Sequence, residues 1–226
     1  MKKILDYIIP VSLFVIFTIF TILVKTVDVQ YIEGIGYLGF YNFNMSLNTT
    51  IQNMNTDLFD KISTIIMIIS FIPVAFFAIL GIAQLIRRKS LKKVDPVLYF
   101  LLGLYVIIAG CYLVFSLLKI NFAPYSTPDN LKDSYPSSHV FITFTLLFSS
   151  SLASGFYLKK FNRWIYIGIN ALASILAMGE IFTRMFSGKH YFTDIIGGIL
   201  LAFTLTSAFY VLCVSKKDKA RYIESC

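Results

Sequence analysis

Six apolar runs, each close to or above the length of a bilayer span, constrain this 226-residue chain more than any other feature. A hydrocarbon core about 30 Å thick takes about 20 helical residues to cross. The runs are Tyr7–Val24, Ile62–Ile86, Pro96–Leu118, Val140–Leu158, Trp164–Phe182 and Tyr191–Val214. Backbone amides inside lipid must find partners within their own segment, so such runs fold as helices. The expected fold is all-α: a polytopic membrane protein of six transmembrane helices, forming one integral-membrane domain over residues 1–226. Composition points the same way, with 57% hydrophobic and 14% charged residues. A soluble chain carries roughly a quarter charged residues, so a cytosolic enzyme and a disordered chain are both excluded. Met1-Lys2-Lys3 ahead of the first run resembles a secretory signal, but the run is too long and no small-residue cleavage site follows, which reads as a retained anchor.

The basic residues set the expected orientation, because short cytoplasmic loops retain Lys and Arg. With the N-terminus inside, 14 of the 20 basic residues fall on the cytoplasmic side: Lys2, Lys3, Arg87, Arg88, Lys89, Lys92, Lys93, Lys159, Lys160, Arg163, Lys216, Lys217, Lys219 and Arg221. The other six, Lys25, Lys61, Lys119, Lys132, Arg184 and Lys189, fall outside. Both termini are then cytoplasmic. This clustering also accounts for the net charge of +8 without nucleic acid as a partner. A compact six-span chain with a Lys-Lys start suggests a bacterial plasma membrane. Residues 25–61 form the longest external connection, in which Ile32-Glu33-Gly34-Ile35-Gly36-Tyr37-Leu38-Gly39-Phe40 alternates glycine with apolar and aromatic residues. It reads as an aromatic-anchored connector at the interface, with a lid or lateral gate as the other reading. Cys111, Cys213 and Cys226 show neither metal spacing nor a disulfide framework.

Only two histidines occur, and this topology places both at the outer boundary, His139 opening the fourth span and His190 opening the sixth. Between His139 and Thr183 lie 43 residues, enough for one span inward, a short turn and one span back. Around the histidines gather Lys119, Ser137, Ser138, Arg184 and Asp194. His190 and Asp194 are spaced i, i+4, so the carboxylate can take a hydrogen bond from one imidazole nitrogen and leave the other free to attack. Pro136-Ser137-Ser138-His139 is a helix start whose first-turn amides suit phosphate. Lys119 and Arg184 add fixed positive charge, with Arg184 offering a fork matched to phosphate oxygens. Each element has a plainer reading: His190 and Asp194 as a helix-capping pair or half a metal site, Arg184 as a boundary residue paired with Glu180. The cations Lys119, Arg184 and Lys189 disfavour a metal, and no further ligands complete a shell.

At these residues the chain resembles the type 2 phosphatidic acid phosphatase family of membrane lipid phosphatases, related to acid phosphatases and vanadium haloperoxidases. The family pattern is K-x6-R-P, P-S-G-H and S-R-x5-H-x3-D. Its third element matches Thr183-Arg184, His190 and Asp194; its second matches Pro136-Ser137-Ser138-His139 with Ser for Gly; its first keeps Lys119 but has Ser126 and Thr127 where Arg-Pro belong. The resemblance covers about residues 119–214. It implies a phosphohistidine mechanism without metal or cofactor: His190 attacks phosphorus, Asp194 orients it, and His139 protonates the leaving lipid oxygen and then activates water. Lys119, Ser137, Ser138 and Arg184 would hold the phosphate oxygens, Thr183 keeps the hydroxyl of the usual Ser, and Lys132 or Lys189 would stand in for the missing Arg. The expected substrate is a lipid phosphate or diphosphate of the undecaprenyl diphosphate, phosphatidylglycerol phosphate or phosphatidate type, taken from the outer leaflet, with membrane lipids as the surroundings. Transfer of the phosphoryl group to a lipid or sugar acceptor, and a non-catalytic lipid-binding or transport role on the same fold, are the alternatives.

Overall fold

The computed structural model describes residues 2–51, 56–158 and 162–224, with side chains between 6 and 213. Lys159, Lys160 and Cys226 lie outside the described residues, as do the side chains of Lys2, Lys3, Lys216, Lys217, Lys219 and Arg221. Seven α-helices and one hairpin are present in that set: α1 (Lys2–Thr26), β1 (Gln30–Ile32), β2 (Gly36–Leu38), α2 (Tyr41–Ile51), α3 (Thr56–Arg88), α4 (Pro96–Leu118), α5 (Ser138–Leu158), α6 (Arg163–Phe186) and α7 (Phe192–Glu224). Six of the helices are long and apolar enough to cross a membrane.

The segment 25–61 differs most from a plain connector. Its glycine-aromatic stretch pairs as an antiparallel hairpin with Tyr31 opposite Tyr37, rings 5.2 Å apart, and a short helix, α2, follows. Helix α3 also starts six residues before the apolar run that announced it, carrying Asp57, Asp60 and Lys61 into helical structure.

Helix α5 is the centre of the bundle: 67% of its span is buried, against 11–44% of the others. It packs on α3, α4, α6 and α7, and α1 lies along α7. A central helix in lipid gains little from extra hydrophobicity and more from close approach, so small hydroxyl residues suit it. Thr143, Thr145, Ser149, Ser150, Ser151 and Ser154 are all buried there, among Phe141, Leu146, Leu147 and Ala153 of the apolar core. The outward faces of the peripheral helices keep large apolar groups such as Ile8, Ile72, Val106 and Ile175 exposed, as a lipid-facing surface requires.

Successive spans alternate in direction. One end of the bundle therefore collects the hairpin, α2, the loop from 119 to 137 and the turn from 187 to 191. The other end holds the turn after α3, where Arg88 pairs with Asp95 at 2.7 Å and Tyr157 Oη donates to the same carboxylate at 3.0 Å.

Candidate active site

The loop before α5 is clamped onto the first turns of α7. Ser137 N donates to the Asp194 carbonyl at 2.9 Å, and the two backbones approach because α7 presents Gly197 and Gly198. A Cβ at Gly197 would stand 2.5 Å from the ring of Tyr135, and one at Gly198 would stand 2.9 Å from the Ser137 carbonyl. Tyr135 is fully buried, its hydroxyl bonded to Thr21 Oγ1 of α1 at 2.8 Å, and burial pushes the phenol above its ordinary range. Tyr135 is thus a wedge between α1 and α7 that fixes the height of Ser137, Ser138 and His139.

Asp194 is wholly buried and performs two tasks. It is the third residue of α7, where a carboxylate can reach back to the amide ahead of the helix; Oδ2 accepts from Tyr191 N at 2.9 Å. The same oxygen stands 3.8 Å from His190 Nδ1, and Oδ1 accepts from Asn121 Nδ2 at 3.1 Å. His190 itself precedes α7 rather than opening it, so the expected pairing across one helical turn becomes a pairing across the helix start. On its other side, His190 Nε2 stands 3.1 Å from Arg184 Nη2. A guanidinium only donates, so Nε2 must accept, and a neutral ring then carries its proton on Nδ1, toward Asp194. Burial lowers the affinity of this imidazole for a second proton; Asp194 opposes that effect and the Arg184 charge adds to it. The result is a neutral imidazole whose Nε2 lone pair points at an arginine.

Arg184 is buried, and its Nη1 donates to Asp60 Oδ1 at 2.7 Å. The pairing with Glu180 anticipated from sequence is not the one formed. Glu180 is buried one turn below and accepts from Ser63 Oγ of α3 at 2.7 Å, with Oε2 unpartnered. Lys189 Nζ lies 4.0 Å from the second Asp60 oxygen and 4.8 Å above the Tyr125 ring. His139 is half-buried and feels the charges of Arg184, His190 and Asp60.

Ser137 precedes α5, its carbonyl accepting from Phe141 N at 3.1 Å, but its hydroxyl does not cap the helix; Ser137 Oγ is buried without a partner. Ser138 and His190 both line a cavity of about 20 Å³, room for about one water. Thr183 is turned into its own helix, its hydroxyl donating to the Gly179 carbonyl at 2.8 Å. Lys119 ends α4 in a left-handed conformation with its side chain exposed. Lys132 is exposed in the loop, where its carbonyl accepts from Ala123 N. Among the described residues, then, the structure brings together Ser137, Ser138, His139, Arg184, Lys189, His190 and Asp194, while no bond joins Lys119 or Lys132 to either histidine.

Two functional groups escaped the sequence reading. Asp60 lies 124 positions from Arg184 and Asn121 lies 73 from Asp194, and neither carries a local signal beyond being polar at a span boundary. Among the described residues no three of His, Cys, Asp and Glu gather as a metal site would require. What the arrangement offers chemically is a neutral histidine whose Nε2 is an acceptor, a second histidine, two cations, and buried polar atoms without partners: Ser134 Oγ, Ser137 Oγ, Arg184 Nε and His190 Nδ1.

Residues 117–218 match the PAP2 superfamily. The chain is similar in structure to the first transmembrane PAP2-type phosphatidylglycerolphosphate phosphatase from Bacillus subtilis, with a TM-score of 0.61 and 19% identity over 92% of this chain and 96% of that one. No curated protein matches it.

Proposed function

We propose that this chain, whose residues 117–218 match the PAP2 superfamily, is a membrane lipid phosphatase of that superfamily. It hydrolyses a lipid phosphate mono- or diphosphate ester at the extracytoplasmic face, without metal. The observation that carries this reading is Arg184 Nη2 at 3.1 Å from His190 Nε2, which makes Nε2 the acceptor and leaves the ring proton on Nδ1, 3.8 Å from Asp194 Oδ2. That is the form of histidine needed to attack phosphorus.

In the first step Nε2 of His190 bonds to phosphorus as the bond to the lipid oxygen breaks, and His139 gives that oxygen its proton. Asp194 stabilises the positive charge spreading onto the His190 ring. In the second step His139, now neutral, takes a proton from water, whose oxygen displaces Nε2 and releases phosphate. Arg184, Lys189, the Ser137 hydroxyl and the first-turn amides of α5 would receive phosphate oxygens, and the Asp60 carboxylate that Lys189 shares with Arg184 favours Lys189 over Lys132 as the charge missing from the first motif. The phospholipid phosphate acted on by the similar solved protein supports a lipid substrate, and the 14-to-six basic asymmetry supports an outward-facing site.

The test is phosphate release in detergent across undecaprenyl diphosphate, phosphatidylglycerol phosphate and phosphatidate, with excess EDTA present, combined with trapping of acid-labile labelled protein. Release and a trapped intermediate are expected, the latter lost in His190→Ala and retained in part in His139→Ala with a p-nitrophenyl substrate. A labelled His190→Ala protein, or activity abolished by EDTA and restored by a divalent ion, overturns the mechanism.

A further inference from the structure

The arginine of the phosphate subsite is already paired with an anion supplied by the protein. Nη1 of Arg184 donates to Asp60 Oδ1 at 2.7 Å, and Lys189 approaches the other oxygen of the same carboxylate at 4.0 Å. Asp60 therefore meets both cations proposed to hold phosphate, one with each oxygen. Its side chain is a third exposed while that of Arg184 is nearly buried, so Asp60 is the partner with somewhere to go. Arg184 Nη2 meanwhile covers the lone pair of His190 Nε2 at 3.1 Å.

We infer that Asp60 is a resident carboxylate that occupies the phosphate subsite and must be displaced by the substrate's phosphate before His190 is uncovered. A phosphate entering the subsite brings oxygens to Nη1 and Nη2 together, replacing Asp60 on one and His190 on the other. A dianion cannot bind beside a carboxylate without strong like-charge repulsion, so displacement opposes every phosphate ligand alike. A lipid phosphate meets that cost with the contacts of its buried chains, whereas inorganic phosphate and soluble monoesters have no such source of binding energy. The carboxylate thereby lowers retention of the phosphate product, which has no chain contacts to offset the cost of displacing it.

Glu180 and Ser63 make this displacement possible. Their bond at 2.7 Å lies one helical turn beneath Arg184 and joins α6 to α3 independently of Asp60. The two helices therefore stay in contact when Asp60 withdraws.

This inference rests on the proposed phosphate chemistry of the site, but its first test needs no turnover. Binding of inorganic phosphate and of vanadate to the purified full-length protein in detergent is measured by equilibrium dialysis for wild type, Asp60→Asn and Asp60→Glu. Asp60→Asn is expected to bind both anions at least about tenfold more tightly, and Asp60→Glu, which keeps the carboxylate, to stay near wild type. In turnover, Asp60→Asn is expected to show stronger inhibition by phosphate. Unchanged or weaker anion binding in a folded Asp60→Asn protein, with its melting temperature within a few degrees of wild type, overturns the inference. Should Asp60→Asn not fold, Asp60→Ser is used and read by the same criterion. If the anions bind and respond to Asp60 but no lipid phosphate is hydrolysed, the resident-anion role stands and the phosphatase reading falls.

Discussion

Replacing Gly197 by Ala tests the packing that joins the two histidine segments. The added methyl would stand 2.5, 2.7 and 2.8 Å from three atoms of Tyr135. Carbon atoms in contact prefer about 3.5–4.0 Å, so one partner must move by about 1 Å. The ring cannot swing aside, because it is 1% exposed, bonded to Thr21 and packed edge-on against Phe115. The strain passes instead into the backbone of Tyr135, Pro136 and Ser137, lifting Ser137 N from the Asp194 carbonyl and carrying His139 with it. Overpacking of this kind costs about 1–3 kcal/mol of stability, and a displacement of about 1 Å at a reacting group can cost about a hundredfold in rate. The assay is kcat on a lipid phosphate together with the melting temperature, for Gly197→Ala, Tyr135→Val and the double variant. Gly197→Ala should lose about two orders of magnitude in kcat, and adding Tyr135→Val should recover most of that loss, because the clash has been removed. If the double variant is no better than the sum of its parts, the wedge is not what positions His139 and the reasoning fails.

Three further outcomes follow from the same contacts. Asn121→Ala removes a donor to a buried carboxylate, worth about 1.5–3 kcal/mol, and should slow phosphoenzyme formation by about tenfold or more in rapid-quench measurements, while Asn121→Asp should be worse because two carboxylates would then meet at about the 3.1 Å now separating Asn121 from Asp194. Burial holds the His190 imidazole below its ordinary value of 6.5, so the acidic limb of the kcat/KM profile should fall below that pH as the nucleophile protonates; Asp194 opposes the shift, so Asp194→Asn should move the limb lower still, and a limb moving upward would contradict the assignment. Cysteine placed at the exposed Asp129 should react with an impermeant thiol reagent added outside intact cells and cysteine at the exposed Lys92 should not; the reverse pattern would invert the orientation and the side from which substrate arrives.

The spans were legible because lipid imposes one rule on every residue of a run, and hydropathy reports it directly. Where a span ends is a different matter. Asp57, Asp60 and Lys61 depress the hydropathy at the start of α3, yet the helix continues through them because Asp60 meets Arg184 from another helix. Motif spacing revealed His139, Arg184, His190 and Asp194, whose order along the chain reflects two helix starts and one helix end. It could not reveal Asn121, Asp60 or Gly197, whose roles exist only once helices distant in sequence are side by side. Arg184 shows the limit clearly. The nearest carboxylate in sequence is Glu180, but that group is bonded to Ser63, and the partner chosen lies on α3. The hairpin and α2 were hidden for a related reason: Asn44 anchors them by donating to Thr193 Oγ1 at the start of α7, at 2.9 Å, a contact no local pattern announces.

Helix α3 has 33 residues, and its apolar run Ile62–Ile86 alone spans about 38 Å at about 1.5 Å per residue, against a hydrocarbon core of about 30 Å. It carries Asp60 near one end and Arg88, tied to Asp95, at the other, with Pro73 interrupting its hydrogen-bond ladder between them. A rod longer than the slab it crosses must lean, and its lean depends on the slab. In a thinner bilayer α3 tilts further, and because its far end is pinned, the adjustment is taken up at Pro73 and at the end that bears Asp60. The carboxylate facing Arg184 is therefore mounted on an element that responds to membrane thickness, which makes the acyl composition of the surrounding lipid a physical variable of the site around Arg184 and His190.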